Sequence, residues 1–237
     1  MNPLCFSAVV FESGASRVHE LTVPPTELVI AGWTGRDSAA IMHHIEELQA
    51  IGVPRPSAVP LYYRASAQQL TQDGDLEMLG DQTSGEAEPV LFKAQGEWWL
   101  SVGSDHTDRQ VEAYSVAVSK QMCAKPVART AWRWRDVVDH QDQIEMGSEI
   151  FEQGQWVSYQ KGTLALIRTL NSLRDGHWPS QNVADGSFMF CGTFAAIANA
   201  QGASIRPAVR TRLWLRDPVL NLQQTHEYAV RVLPVVA

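Results

Sequence analysis

The sequence is poor in features that mark whole classes of protein. It has three cysteines in 237 residues; Cys5, Cys123 and Cys191 are odd in number and far apart, which excludes a disulfide framework and a zinc-ribbon spacing. They read as small buried hydrophobes. No apolar run reaches the roughly 18 residues of a membrane-crossing helix; the most apolar stretch, Phe188 to Ala200, is broken by Gly192, Thr193 and Asn199. Nor is there a block of basic residues. Lys and Arg number 19 against 26 Asp and Glu, a net charge of −7, so nucleic acid, which binds clustered cations by counterion release, is not an expected partner. Met1 to Val10 has no leading positive charge and no small-residue cleavage site, so no secretory leader is expected and the cytoplasm is the expected location.

What is present is ordinary globular composition, 45% apolar and 19% charged, without repeats, low-complexity tracts or a flexible linker. Leu4 to Phe11 and Leu28 to Trp33 are apolar and β-branched between turn-prone stretches, the pattern of strands. Residues 1–35 are expected to form a small N-terminal β lobe, with 36–237 as the main domain. Ile41, Ile45, Leu48 and Ile51 recur at helical spacing after the capping candidates Asp37 and Ser38, and Gly52, Pro54 and Pro56 stop the helix. Asp73 to Gly85 reads as a polar loop. Strands are expected at Pro89 to Phe92, Trp98 to Val102, Ala113 to Val118 and Glu227 to Val236, and helical spacing recurs from Gly162 to Leu173.

Three short stretches carry chemistry. Glu86 and Glu88 precede a strand and, two apart in an extended chain, project to one face. Paired carboxylates need a cation or a shared proton, and hard oxygens suit Mg²⁺, Mn²⁺ or Ca²⁺; a solvated strand edge is the plainer meaning of such a pair. The segment from Val102 to Arg109 adds Asp105, His106, Asp108 and Arg109, offering a third carboxylate. Its alternative is a turn with Asp105 as cap, and His106 receives no role. On the helix, His44 with Glu47, or His43 with Glu46, stand three apart on one face; such a dyad can draw a proton from water near neutral pH, although an exposed ion pair is its commoner meaning.

In this order the stretches resemble the fumarylacetoacetate hydrolase family, from about Ala40 to Val127. The resemblance places the family's His-x-x-Glu lid helix on His44 and Glu47, followed by Pro54, Arg55, Pro56 and the aromatic Leu61-Tyr62-Tyr63. Its Glu-x-Glu falls on Glu86 and Glu88, its Asp-x-x-x-Arg on Asp105 and Arg109, and a later lysine on Lys120. Cys191-Gly192-Thr193 is similar to the family's Gly-Thr turn, with Phe194-Ala195-Ala196 replacing the proline and glycines that follow it; Arg64 stands where the family has lysine.

The resemblance implies a β-rich α+β fold, a mixed β-roll with a short lid helix over a fumarylacetoacetate hydrolase-like catalytic domain at 36–237, and a homodimer. It implies a metal held by Glu86, Glu88 and Asp105, catalysis by His44, Glu47 and Lys120, and substrate binding by Arg109, Arg64 and Thr193. The expected activity is Mg²⁺-dependent carbon-carbon hydrolysis of a small 2-oxo or 1,3-dicarbonyl acid, through a metal-stabilised enolate. Alternatives are a dehydratase, isomerase or decarboxylase of an oxo acid, or a non-catalytic metal-dependent binding protein. No membrane partner is expected.

Overall fold

The computed structural model describes residues 2–12, 14–50, 55–180 and 182–236; the side chains of His44, Glu47 and Leu48 lie outside that description. The main strands, in chain order, are β1 (Leu4–Glu12), β2 (Ala15–Val23), β3 (Glu27–Gly32), β4 (Leu61–Ala65), β5 (Asp75–Leu79), β6 (Ala87–Ala94), β7 (Glu97–Ser104), β8 (Thr130–Arg133), β9 (Glu145–Glu152), β10 (Gln155–Thr163), β11 (Ser187–Phe190), β12 (Arg210–Asp217) and β13 (Leu222–Leu233). The helices used below are α1 (Ser38–Ala50), α2 (Val116–Met122) and α3 (Leu170–His177).

An eight-stranded mixed sheet runs β2-β1-β8-β7-β6-β11-β3-β4, and a five-stranded sheet runs β10-β9-β12-β13-β5. Residues 1–35, expected as an N-terminal lobe, supply β1, β2 and β3 to the larger sheet, where β1 lies parallel to β8 and β3 parallel to β11. Side chains alternate across its strands. Leu91 and Leu100 enter one apolar cluster with Met146, Leu213 and Leu215 of the second sheet. Val90, Phe92, Phe188 and Phe190 enter the other, with Phe6. There Phe92 stacks between Phe6 and Phe188, at ring separations of 4.5 and 4.9 Å.

Asp37 caps α1, its Oδ1 accepting from the backbone N–H groups of Ala39 and Ala40. Arg36 ties that end to the body through two bonds to Asp142, at 2.6 and 2.7 Å, and one to the Ile167 carbonyl. The expected stop at Gly52 and Pro54 lies outside the described residues.

Several expectations need correction. Ala113 to Val118 is not a strand: Ser115 accepts from the Val118 N–H and starts α2, overriding the β preference of Val116 and Val118. The polar stretch 73–85 contains β5, paired in parallel with β13, and a two-residue strand at Thr83–Ser84. From 162 to 173 the chain finishes β10, makes a 3₁₀ turn at Leu164–Leu166 and turns helical only at Leu170, where Thr169 caps α3. The last strand begins earlier than expected, at Leu222. Cys5 is exposed, unlike Cys123 and Cys191, because β1 alternation turns it away from the core that takes Leu4 and Phe6.

Candidate metal centre

The alternation that packs Phe92 and Val90 on one face of β6 places Glu88 and Glu86 farther along the same face. β7 runs antiparallel alongside, with Gly103 opposite Glu88. Two residues on, the Asp105 N–H donates to the Glu86 carbonyl at 3.0 Å, bringing the third carboxylate across from the first. On the other side, β11 continues past Phe190 to Gly192, whose N–H donates to Glu88 Oε2 at 2.8 Å. Gly192 has φ +92°, and a Cβ there would strike Thr34; this backbone approach requires glycine. Carboxylate oxygens of Glu86, Glu88 and Asp105 converge within 4.8 Å of one another.

Their cations are unevenly shared. Lys120, from α2, bonds Asp105 Oδ2. The wholly buried Lys125 lies 3.4 Å from Asp105 Oδ1 and donates to the carbonyls of His106 and Cys123. Arg109 reaches Glu86 at 3.2 Å, Glu112 at 2.8 Å and the Ser84 hydroxyl at 2.7 Å. Burial pushes the pKa of Glu88 well above the ordinary carboxylate value, and the charge of Asp105 adds to the rise. Glu86 is raised by burial, with Arg109 and Lys120 opposing. Burial would raise Asp105 too, but Lys120 and Lys125 pull it below the usual range. Burial works against the Lys120 charge, yet Asp105, Glu86 and Glu88 hold it protonated.

Glu86, Glu88 and Lys120 border a cavity of about 630 Å³, together with Tyr63, Gln160 and Thr193. Thr193 donates to the Ala87 carbonyl and accepts from the Gln160 amide, both within 2.8 Å. A larger groove, about 1120 Å³, lies between β1 and β5 and contains none of these carboxylates; the smaller one is where the chemistry converges.

Thus Glu86, Glu88, Asp105, Lys120 and Thr193 are brought together. Arg109 is adjacent but turned onto Glu86 and Glu112, outside the cavity lining. Arg64 is elsewhere: alternation on β4 gives Tyr63 to the cavity and sends Arg64 to Glu27, at 2.6 Å. The side chains of His44 and Glu47 lie outside the described residues, although Ile41 of the same helix lines the cavity. Sequence reasoning missed Lys125 and the Gly192 N–H. A lysine inside the apolar run Cys123 to Val127 is a visible sign of a buried cation, whereas the backbone donor becomes visible only with the sheet order. His106 is buried with its Nδ1 at 2.9 Å from the Tyr228 hydroxyl, and burial pushes its pKa down to about 3, so it stays neutral. Cys191 is no nucleophile, because complete burial raises its thiol.

The donor set fits a hard divalent ion. Three carboxylates converge, and Asp105 Oδ1 is a buried acceptor without a hydrogen bond.

Residues 31–228 match the family described as protein of unknown function DUF2848, and the chain belongs to that family. No curated protein sequence matches it. Solved structures share its fold. A 2-keto-3-deoxy-D-arabinonate dehydratase complexed with magnesium and 2,5-dioxopentanoate aligns with a TM-score of 0.61 and 11% identity, over 95% of this chain and 79% of that one. The 4-oxalocrotonate decarboxylase of Pseudomonas putida G7, complexed with calcium and acetate, gives 0.53 and 13%, over 86% and 76%. A putative isomerase of Escherichia coli gives 0.52 and 13%, over 89% and 93%. These neighbours have the fumarylacetoacetate hydrolase fold, and the β-rich architecture of this chain is theirs.

Proposed function

We propose that the protein is a divalent-metal-dependent enzyme acting on a small 2-oxo acid, a divergent relative of the fumarylacetoacetate hydrolases. The observation that carries this reading is the triad Glu86, Glu88 and Asp105, with Glu86 and Glu88 bordering a cavity that Lys120 also lines. The triad would hold Mg²⁺, Mn²⁺ or Ca²⁺, with Mg²⁺ the first choice, and the ion would supply Lewis acidity toward the acid's carboxylate and oxo oxygens.

The chain's own residues supply the rest. Lys120, held protonated by its carboxylate neighbours, serves as a fixed positive charge for an oxygen that gains negative charge, not as a base. Thr193, its proton given to the Ala87 carbonyl and its oxygen accepting from Gln160, lines the part of the cavity that takes the acid. Arg109 keeps Glu86 aimed at the triad, and Arg64 has no part in this reading. In α1, acting as lid, His44 takes a proton from water while Glu47 orients its ring. With that dyad the reaction is hydrolytic carbon-carbon cleavage of an acylpyruvate-like acid, by a cytoplasmic homodimer.

A second reading, dehydration or decarboxylation of an oxo acid, is supported by the neighbours named a dehydratase and a decarboxylase. It needs no activated water. Turnover of acylpyruvates, oxaloacetate and sugar-derived 2-oxo acids with Mg²⁺ or Mn²⁺, in the natural protein and in His44→Ala, separates the two. Hydrolysis lost in the variant supports the first; loss of water or CO₂ from the acid that survives the substitution supports the second. Failure of the folded protein to bind either ion sinks both.

A further inference from the structure

Away from the carboxylates, Lys120 and the polar Thr193 and Gln160, one wall of the cavity is largely apolar. Ile41 of α1, Val116 of α2, and Phe194, Ala195, Ala196 and Ile205 of the segment after β11 contribute to it. That segment is firmly held although it has no regular structure. The guanidinium of Arg206 is buried, donates to the carbonyls of Ile197 and Ala203 at 2.8 and 2.9 Å, pairs with Glu152 at 3.1 Å and lies over the Tyr159 ring. The Ile197 N–H donates to the Tyr159 carbonyl at 2.7 Å. The polar groups that fix the segment therefore face the body of the protein, and Phe194, Ala195, Ala196 and Ile205, with Ser204 among them, are left to the cavity.

Charge points the same way. Among the described lining residues Lys120 is the one cation, and it is already engaged by Asp105. The acid on the wall outside the triad, Glu112, is matched by Arg109 at 2.8 Å. With a divalent ion on three carboxylates and Lys120 and Lys125 beside them, the formal charges sum to +1, so one substrate carboxylate is accommodated at the ion. A second carboxylate, carried farther along the substrate, would be desolvated against alkyl groups with no free cation among the described lining residues to receive it.

Resting on the metal-dependent oxo-acid reading above, we infer that the substrate is a monocarboxylic 2-oxo acid with an apolar chain, which lies against the wall built by Phe194, Ala196 and Ile205. A cavity of about 630 Å³ has room for such a molecule.

The test is calorimetric binding to the Mn²⁺-loaded protein, with oxalate as probe of the metal end alone. The chain is probed with 2-oxobutanoate, 2-oxohexanoate and 2-oxooctanoate, and with 2-oxoadipate as the six-carbon dicarboxylate. Affinity should rise about two- to fourfold per added methylene, and 2-oxohexanoate should bind at least about tenfold more tightly than 2-oxoadipate. Ile205 is half exposed, so Ile205→Lys should fold, and it should shift the preference about tenfold toward 2-oxoadipate. If oxalate binds but chain length has no effect, or 2-oxoadipate equals 2-oxohexanoate, the apolar-chain inference is overturned and the oxo-acid reading stands. An unchanged preference in Ile205→Lys overturns the placement of the chain on this wall. If neither oxalate nor any oxo acid binds the Mn²⁺-loaded protein, both fall together.

Discussion

On the exposed face of the second sheet, Arg210 and Arg212 meet Glu227 at 2.5 and 2.9 Å, Arg212 also reaches Glu149 at 3.3 Å, and both guanidiniums lie over Trp156. At the start of β6 the same kinds of group are buried, and their cations are shared unevenly. Glu88 has a backbone N–H as its hydrogen-bond partner, and Asp105 faces two lysines while keeping one oxygen without a hydrogen bond. The pKa values move in opposite directions: burial would raise Glu227, but the hydrogen bonds and charges of Arg210 and Arg212 together bring it below the usual value, whereas burial pushes Glu88 up. Charges that are matched and wet call for no ligand. Charges that are buried and mismatched mark where a cation belongs.

Removing the mismatch should have the greatest consequence. Glu88→Gln should weaken Mn²⁺ binding by about three orders of magnitude, since a third of the charged donor set is lost, while the metal-free protein becomes no less stable because the buried acid is gone. Calorimetry with Mn²⁺ and urea unfolding of the metal-free variant measure the two halves; retained affinity would mean that Glu88 is not a ligand. Gly192→Ala attacks the same site through the backbone. A positive φ and a clash with Thr34 should cost about 3–4 kcal/mol in urea unfolding, and a loss under about 1 kcal/mol would show that the Gly192 approach is not required.

His226 tests whether an unpartnered buried atom is enough by itself. Its Nε2 has no hydrogen bond, and burial, helped by the charge of Arg129, lowers its pKa to about 4. The unfolded chain therefore takes up this proton first. The histidine's contribution is fully present above about pH 6.5 and is lost as pH falls toward 4, by about 2–3 kcal/mol. Urea midpoints across that range in the natural protein and in His226→Asn should diverge; parallel curves would remove the effect. The smallest change is expected on the exposed face, where Arg212→Ala should alter stability by under about 1 kcal/mol and leave Mn²⁺ affinity unchanged.

The triad was legible in the sequence because it depends on the simplest regularities, period-two alternation for Glu86 and Glu88 and a strand end for Asp105. The cap of α1 was legible for the same reason: Asp37 bonds its own neighbours. What depended on distant partners was not. Arg64 and Arg109 look alike in sequence as anion binders, but strand alternation sends one to Glu27 and a turn folds the other onto Glu86 and Glu112. Val116 and Val118 suggested a strand until Ser115 is seen capping a helix. The Gly192 donor follows from β11 lying beside β6, a neighbour relation between segments about a hundred residues apart that no local pattern encodes.

That neighbour relation also bears on how the protein comes into being. β11, residues 187–190, is the strip between β3 and β6, so before it arrives the larger sheet exists as two separate pieces with open edges. Closing it requires a contact of high sequence separation, the kind that folds slowly because chain entropy is lost before any pairing is gained. On a ribosome, Glu86, Glu88 and Asp105 emerge long before Gly192 does. Capture of a metal ion can therefore report, in a refolding experiment, the moment at which the two halves of the sheet are joined.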